Sequence, residues 1–161
     1  MDIFKIRLNK ALSSNRIGKL EEFLLKEGQR NKDKIRKYAD YILKNCSDYN
    51  WITSYLIMYD GDELIDAIIN NYNKLKENNI DTYSIINRIT KYPNDKLISY
   101  IDKLIPVIDD FTLHNILDKI KDNEEVMNYI IEKYLINSTI SIKLTSFLLK
   151  NNLYIDKVYQ N

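Results

Sequence analysis

At 161 residues and 19.2 kDa, 45% hydrophobic and 29% charged, the chain is long enough to bury a sizeable core and too apolar for wholesale disorder. Its net charge of +1 conceals a gradient: Met1 to Lys44 carries 12 Lys or Arg against 6 Asp or Glu, the remainder 12 against 17. Three glycines and two prolines argue against sheets and tight hairpins, the single Cys46 excludes an internal disulfide, and no run approaches the ~18 apolar residues of a membrane span.

In chain order, residues 1–30 read as a degenerate helix pair, because "KIR" at Lys5–Arg7 precedes a second "KIR" at Lys34–Arg36 by 29 residues. The opening "MDIFKIRLNKALSSNRIG" is charged throughout and lacks the apolar centre of a secretory signal, so a cytoplasmic protein is expected, in its own cell or in a host. Residues 31–60 follow as "DKIRKYAD" from Asp33 and "DYNWITSYLIMY" from Asp48, and 61–93 as "DELIDAII" from Asp62 and "DTYSIINRITKY" from Asp81. Residues 94–122 give "DKLISYID" from Asp95 and "DFTLHNILDKIK" from Asp110. Residues 123–150 give "EEVMNYII" from Glu124 and, more loosely, "STISIKLTSFLLK" from Ser138, before a short closing helix over 151–161.

The four acidic starts are separated by 29, 33 and 29 residues. Two positions after each come Ile35, Leu64, Leu97 and Val126; five after, Tyr38, Ala67, Tyr100 and Tyr129; six after, Ala39, Ile68, Ile101 and Ile130; ten after, Leu43, Tyr72, Ile105 and Tyr134. Apolar residues at such steps form one stripe of an amphipathic helix, and an acidic start suits its positive N-terminal end. Asn94 and Asn123 are expected to cap, as are Asp48, Asp81, Asp110 and Ser138 at the second helices. Pro93 is expected to end one helix and Pro106 to end or kink another; the glycines are read as helix ends, Gly18 also as a close packing point.

The predicted fold is therefore all-α, a single domain of about five helix pairs with a period near 30 residues, stacked antiparallel hairpins forming an irregular α-solenoid. The alternative is a compact multi-helix bundle. The tetratricopeptide Trp–Leu–Gly pattern and the ankyrin "TPLH" phrase are absent, and the short period resembles irregular helical hairpins of the HEAT or clathrin-heavy-chain kind. That resemblance implies an extended surface on which proteins, or for some HEAT proteins DNA, are held.

Chemistry is sparse. No Gly-rich phosphate loop exists, one Cys with one His cannot make a standard zinc site, and "DGDE" at Asp60–Glu63 reads as a turn and cap rather than a calcium loop. His114 lies in a helical run and reads as structural or surface, and Cys46 as buried filler. Adjacent carboxylates such as Glu124 and Glu125 point about 100° apart on a helix and do not converge as an acid–base pair must. No enzyme activity, cofactor or metal is expected.

The function expected is thus non-enzymatic binding of a protein, as modulator, inhibitor or adaptor, with a viral or phage effector or an immunity-type antagonist suggested by compact size and AT-rich codon usage. Trp51, Tyr49 and Tyr83 are the candidate anchors, Trp51 because other pairs place Ser84 or Leu113 there. Two alternatives stand beside it. One is a nucleic-acid binder using the strip 26–44, with Lys32, Lys34, Arg36 and Lys37 on phosphates or an acidic partner and Tyr38 and Tyr41 interleaved. The other is a compact bundle that inhibits host signalling through a hydrophobic groove. No membrane partner is expected, and pairing of two copies through Leu153, Ile155 and Val158 is left open.

Overall fold

The computed structural model describes every residue except Asn15, Ile17, Asp48, 58–61, Asn79, Asp81 and Asn161, and of Asn50 only the backbone. Among the described residues there are twelve helices and no strand. They are α1 (Ile3–Leu12), α2 (Lys19–Gly28), α3 (Lys32–Asn45), α4 (Tyr49–Ile57), α5 (Asp62–Asn70), α6 (Tyr72–Lys76), α7 (Thr82–Ile89), α8 (Asn94–Leu104), α9 (Asp110–Ile120), α10 (Glu124–Tyr134), α11 (Ser141–Lys150) and α12 (Ile155–Tyr159). The chain is all-α, as expected. It divides into two compact units, Met1–Asp81 and Thr82–Asn161.

The repeated phrase marks the first helix of successive pairs. Asp62 and Glu124 open α5 and α10, while α3 and α8 begin one residue before Asp33 and Asp95. The predicted stripe is buried: Ile35, Leu64, Leu97 and Val126 are sealed from solvent, as are Ala39, Ile68, Ile101 and Ile130. Within unit 1, α3 packs against both α1 and α5, and the contact of α3 with α5 is the most extensive in the molecule. Each of those two helices buries an alanine, Ala39 and Ala67, whose short side chains let helix axes approach. Within unit 2, α8 packs on α10, and α9 touches both α7 and α11.

Caps are placed less regularly than the phrase suggests. Asn123 caps α10, accepting from the Val126 amide at 3.3 Å. Asn94 does not cap; it is the first residue of α8, behind Pro93, and its amide Nδ2 donates to Glu125 while its Oδ1 accepts from Asn123, both at 2.8 Å. The cap of α9 is Asp109 rather than Asp110, accepting from the Thr112 amide at 2.7 Å. Ser138 lies ahead of α11 and turns its hydroxyl back to the Tyr134 carbonyl at 2.6 Å, so the helix starts later, at Ser141. The expected caps Asp48 and Asp81, and the turn residues Asp60 and Gly61, lie outside the described residues.

Pro93 opens α8 instead of ending α7, which stops at Ile89; the missing N–H of proline costs nothing where an amide would be unpaired anyway. Pro106 follows the end of α8. Gly18 is not a close packing point, since a Cβ there would meet only Glu21 Oε2 at 3.9 Å. Its φ of +79° at the entrance to α2 is what requires glycine.

One first helix is broken. Asn71, buried between α5 and α6, folds its amide onto the Ala67 carbonyl at 2.7 Å and onto Asp40 Oδ1 of α3 at 2.8 Å. A side chain that competes for the carbonyl one turn back bends or interrupts a helix.

Candidate interaction surfaces

Aspartates tie successive first helices together, and they account for several conspicuous polar residues. In unit 1, Asp2 accepts from Tyr38 and, at 3.3 Å, from Lys34 Nζ; the Tyr38 bond and the lysine hold its carboxyl at about 2. The same bond pushes the Tyr38 phenol up. Tyr41 donates to Asn9, and Asp40 is held low by Lys44 at 2.6 Å together with Asn71. In unit 2, Asp102 accepts from Tyr129 at 2.6 Å, from Tyr134, and from Lys133 at 3.2 Å. Burial works to raise Asp102, but those three donors outweigh it and the net effect is downward. Burial and the Asp102 carboxylate push Tyr134 up to about 12.

These ties decide the fate of the basic strip. Lys34 is paired with Asp2, Arg36 with Asp33 and Lys44 with Asp40, which leaves Lys26, Arg30, Lys32 and Lys37 exposed, Lys37 with its Nζ 5.3 Å from the Tyr38 ring. Tyr38 is stacked on Phe4 at 5.7 Å. Three of the strip's seven basic side chains are thus paired from within, and neither interleaved tyrosine offers an open face with a free hydroxyl.

The three candidate anchors have different surroundings. Trp51 is half-buried and stacked on Tyr55 at 5.0 Å, while Tyr49 is half-buried under Lys74, whose Nζ stands 4.9 Å from the ring. Both belong to unit 1. Tyr83, in unit 2, is 54% exposed, with Lys119 Nζ 5.4 Å from its ring.

Tyr83 is one of three large apolar side chains exposed at helix starts in unit 2. It is the second residue of α7; the second residues of α9 and α11 are Phe111 and Ile142, 72% and 82% exposed. Phe111 and Ile142 stand at helix starts joined by the Lys143–Asp110 pair, whereas Tyr83 lies beside Lys119, at the other end of α9 from Phe111. Leu149, two turns along α11, is exposed as well. Between α9 and α11 lies a cleft of about 180 Å³ lined by Asp110, His114, Lys143, Phe147 and Lys150. His114 meets the Phe147 ring edge-on at 5.5 Å, and Lys143 pairs with Asp110 at 3.1 Å. Phe111 and Ile142 were legible only as stripe-breaking apolar residues at helix starts.

Cys46 is buried, and among the described residues no three of His, Cys, Asp and Glu come together as a metal ion would need. No described helix is long and apolar enough to cross a membrane. Compared with protein-family models, with curated proteins and with solved structures, the chain matches none.

Proposed function

We propose that this chain is a non-enzymatic protein-binding module, a stack of helical hairpins of irregular α-solenoid type that acts in the cytosol by occluding or scaffolding a partner protein. The observation that carries the reading is the pair Phe111 and Ile142, both exposed at the adjoining starts of α9 and α11. Single exposed apolar side chains are ordinary, but large ones on adjoining helix starts mark a surface that is covered in use. Aromatic and branched side chains on a fixed helical frame are also good anchors, because they lose little rotamer freedom on binding. A role as modulator or inhibitor follows from the same surface, which can exclude a competitor from the partner without chemistry.

The test is comparative capture. Wild-type protein and the variant Phe111→Glu/Ile142→Glu are each used to retain proteins from a lysate of the producing cells after nuclease treatment. The reading expects at least one protein held by the wild type and released by the variant, with the variant's helical circular dichroism unchanged. Identical retention by both would contradict it.

A further inference from the structure

On α1, Arg7, Lys10 and Ala11 share one helical face; on α2, Lys19, Glu22, Phe23 and Lys26 share another. The antiparallel hairpin turns these faces toward a common cleft of about 270 Å³. Four of its lining side chains are cationic. Arg7 is drawn inward: it pairs with Glu27, which is only 2% exposed, and its guanidinium lies 5.6 Å from the Phe23 ring. The one lining carboxylate, Glu22, is taken by Arg16 at 3.0 Å. Among the described residues Lys10, Lys19 and Lys26 make no ion pair, so three like charges stand around one concavity with an apolar floor.

We infer that this cleft is a second binding site, on unit 1, for an acidic segment of a partner protein. Three uncompensated lysines around a concave wall focus a positive potential, and carboxylate side chains relieve their mutual repulsion. The floor of Ala11 and Phe23 accepts the aliphatic part of an acidic segment. A polynucleotide is the poorer fit, for two reasons on the same unit. The neighbouring strip that would extend a phosphate track is already paired at Lys34, Arg36 and Lys44. The Phe23 face that a base would stack on carries Arg7. This inference goes beyond the apolar pair Phe111 and Ile142 on unit 2, and its assay reads out independently of that pair.

The experiment titrates the full chain into a fluorescently labelled polyglutamate peptide at low salt and follows anisotropy. Binding is expected, weakening steeply with added salt, and Lys10→Glu/Lys19→Glu/Lys26→Glu is expected to lower affinity by about tenfold or more. The milder Lys10→Gln/Lys19→Gln/Lys26→Gln keeps the test valid if charge reversal unfolds the hairpin, and Lys32→Glu/Lys37→Glu is expected to change affinity by less than about twofold. Absence of binding, or an equal loss in the Lys32/Lys37 variant, would overturn the inference. So would tighter binding of a single-stranded oligonucleotide of equal charge at the same lysines. Competition by inorganic phosphate at the same concentration of charge would reduce the cleft to a simple anion site, and overturn it too.

Discussion

In unit 1, the tie from α3 to the next first helix runs from Asn71 to Asp40; in unit 2, the tie between α8 and α10 runs from Tyr129, Tyr134 and Lys133 to Asp102. Asp40 and Asp102 occupy the same place in their repeats, seven residues after the acidic start, and Asn71 and Lys133 likewise correspond. The position of the tie is kept while its partners change, and the cost of the change is local. The neutral amide of Asn71 reaches its own Ala67 carbonyl and breaks the helix there; the longer tyrosine and lysine side chains reach across without disturbing the α10 backbone. The units differ outwardly too: unit 2 exposes Phe111 and Ile142 at adjoining helix starts, and unit 1 a basic cleft. A repeat can therefore keep the place of a tie and vary what it presents.

The largest effect should come from the core position where the units differ most. Tyr100 is sealed in unit 2, edge-on to Tyr92 at 5.5 Å, where the corresponding positions of unit 1 hold the half-buried Tyr38 and the small Ala67. Tyr100→Ala is expected to destabilise by about 3–5 kcal/mol in urea denaturation, because the cavity it leaves cannot collapse around packed neighbours. A cost under about 1 kcal/mol would mean that unit 2 tolerates the alanine spacing of unit 1.

Next come the ties themselves. Asp102→Ala leaves Tyr129, Tyr134 and Lys133 without their shared acceptor and should cost about 2–3 kcal/mol, whereas Asp40→Ala, with a more exposed carboxylate, should cost about 1 kcal/mol by the same measurement. Equal costs would remove the contrast between the units.

Acid provides a smaller, graded test. Asp2 lies at about 2 against an ordinary 3.8, and Asp102 is also lowered, so both carboxylates bind protons more readily in the unfolded chain. Stability from a depressed carboxylate is complete above the unfolded value and lost as pH falls through the folded one. Wild-type urea midpoints should therefore fall between about pH 4 and pH 2, and Asp2→Asn/Asp102→Asn should flatten that limb. An unchanged slope would show that neither tie titrates in this way.

The smallest effect is a gain. Thr53 is buried in α4, beside the sealed Ile52, and its hydroxyl has no hydrogen-bond partner among the described residues. Thr53→Val should stabilise by about 1 kcal/mol, since it removes a buried polar group and keeps the shape. Destabilisation would mean that the hydroxyl is satisfied.

Helix starts and the inward stripe were legible because burial imposes a short, local period that acidic starts punctuate: Ile35, Leu64, Leu97 and Val126 could be aligned by eye. Cap identity was less so, because Asp109 and Asp110 are chemically equivalent in sequence and only backbone geometry selects the first. The basic cleft was hidden by distance, since Lys10 faces Lys19 and Lys26 only once α1 and α2 fold back on each other. The strip 26–44 stood out as a run of charges, yet its pairing with Asp2 depends on contacts across helices. Trp51 drew attention as a large residue where other pairs place Ser84 or Leu113, and its stacking on Tyr55 needed only the i, i+4 spacing to be foreseen.

Site-specific photo-crosslinking would test the central claim most directly. A benzophenone amino acid is placed at Phe111, and separately at Glu132, which is exposed on α10, and the producing cells are irradiated. A discrete protein adduct from Phe111, resistant to nuclease and absent from Glu132, is the predicted result. Adducts that are equal at both positions, or that vanish with nuclease, would contradict the protein-binding account.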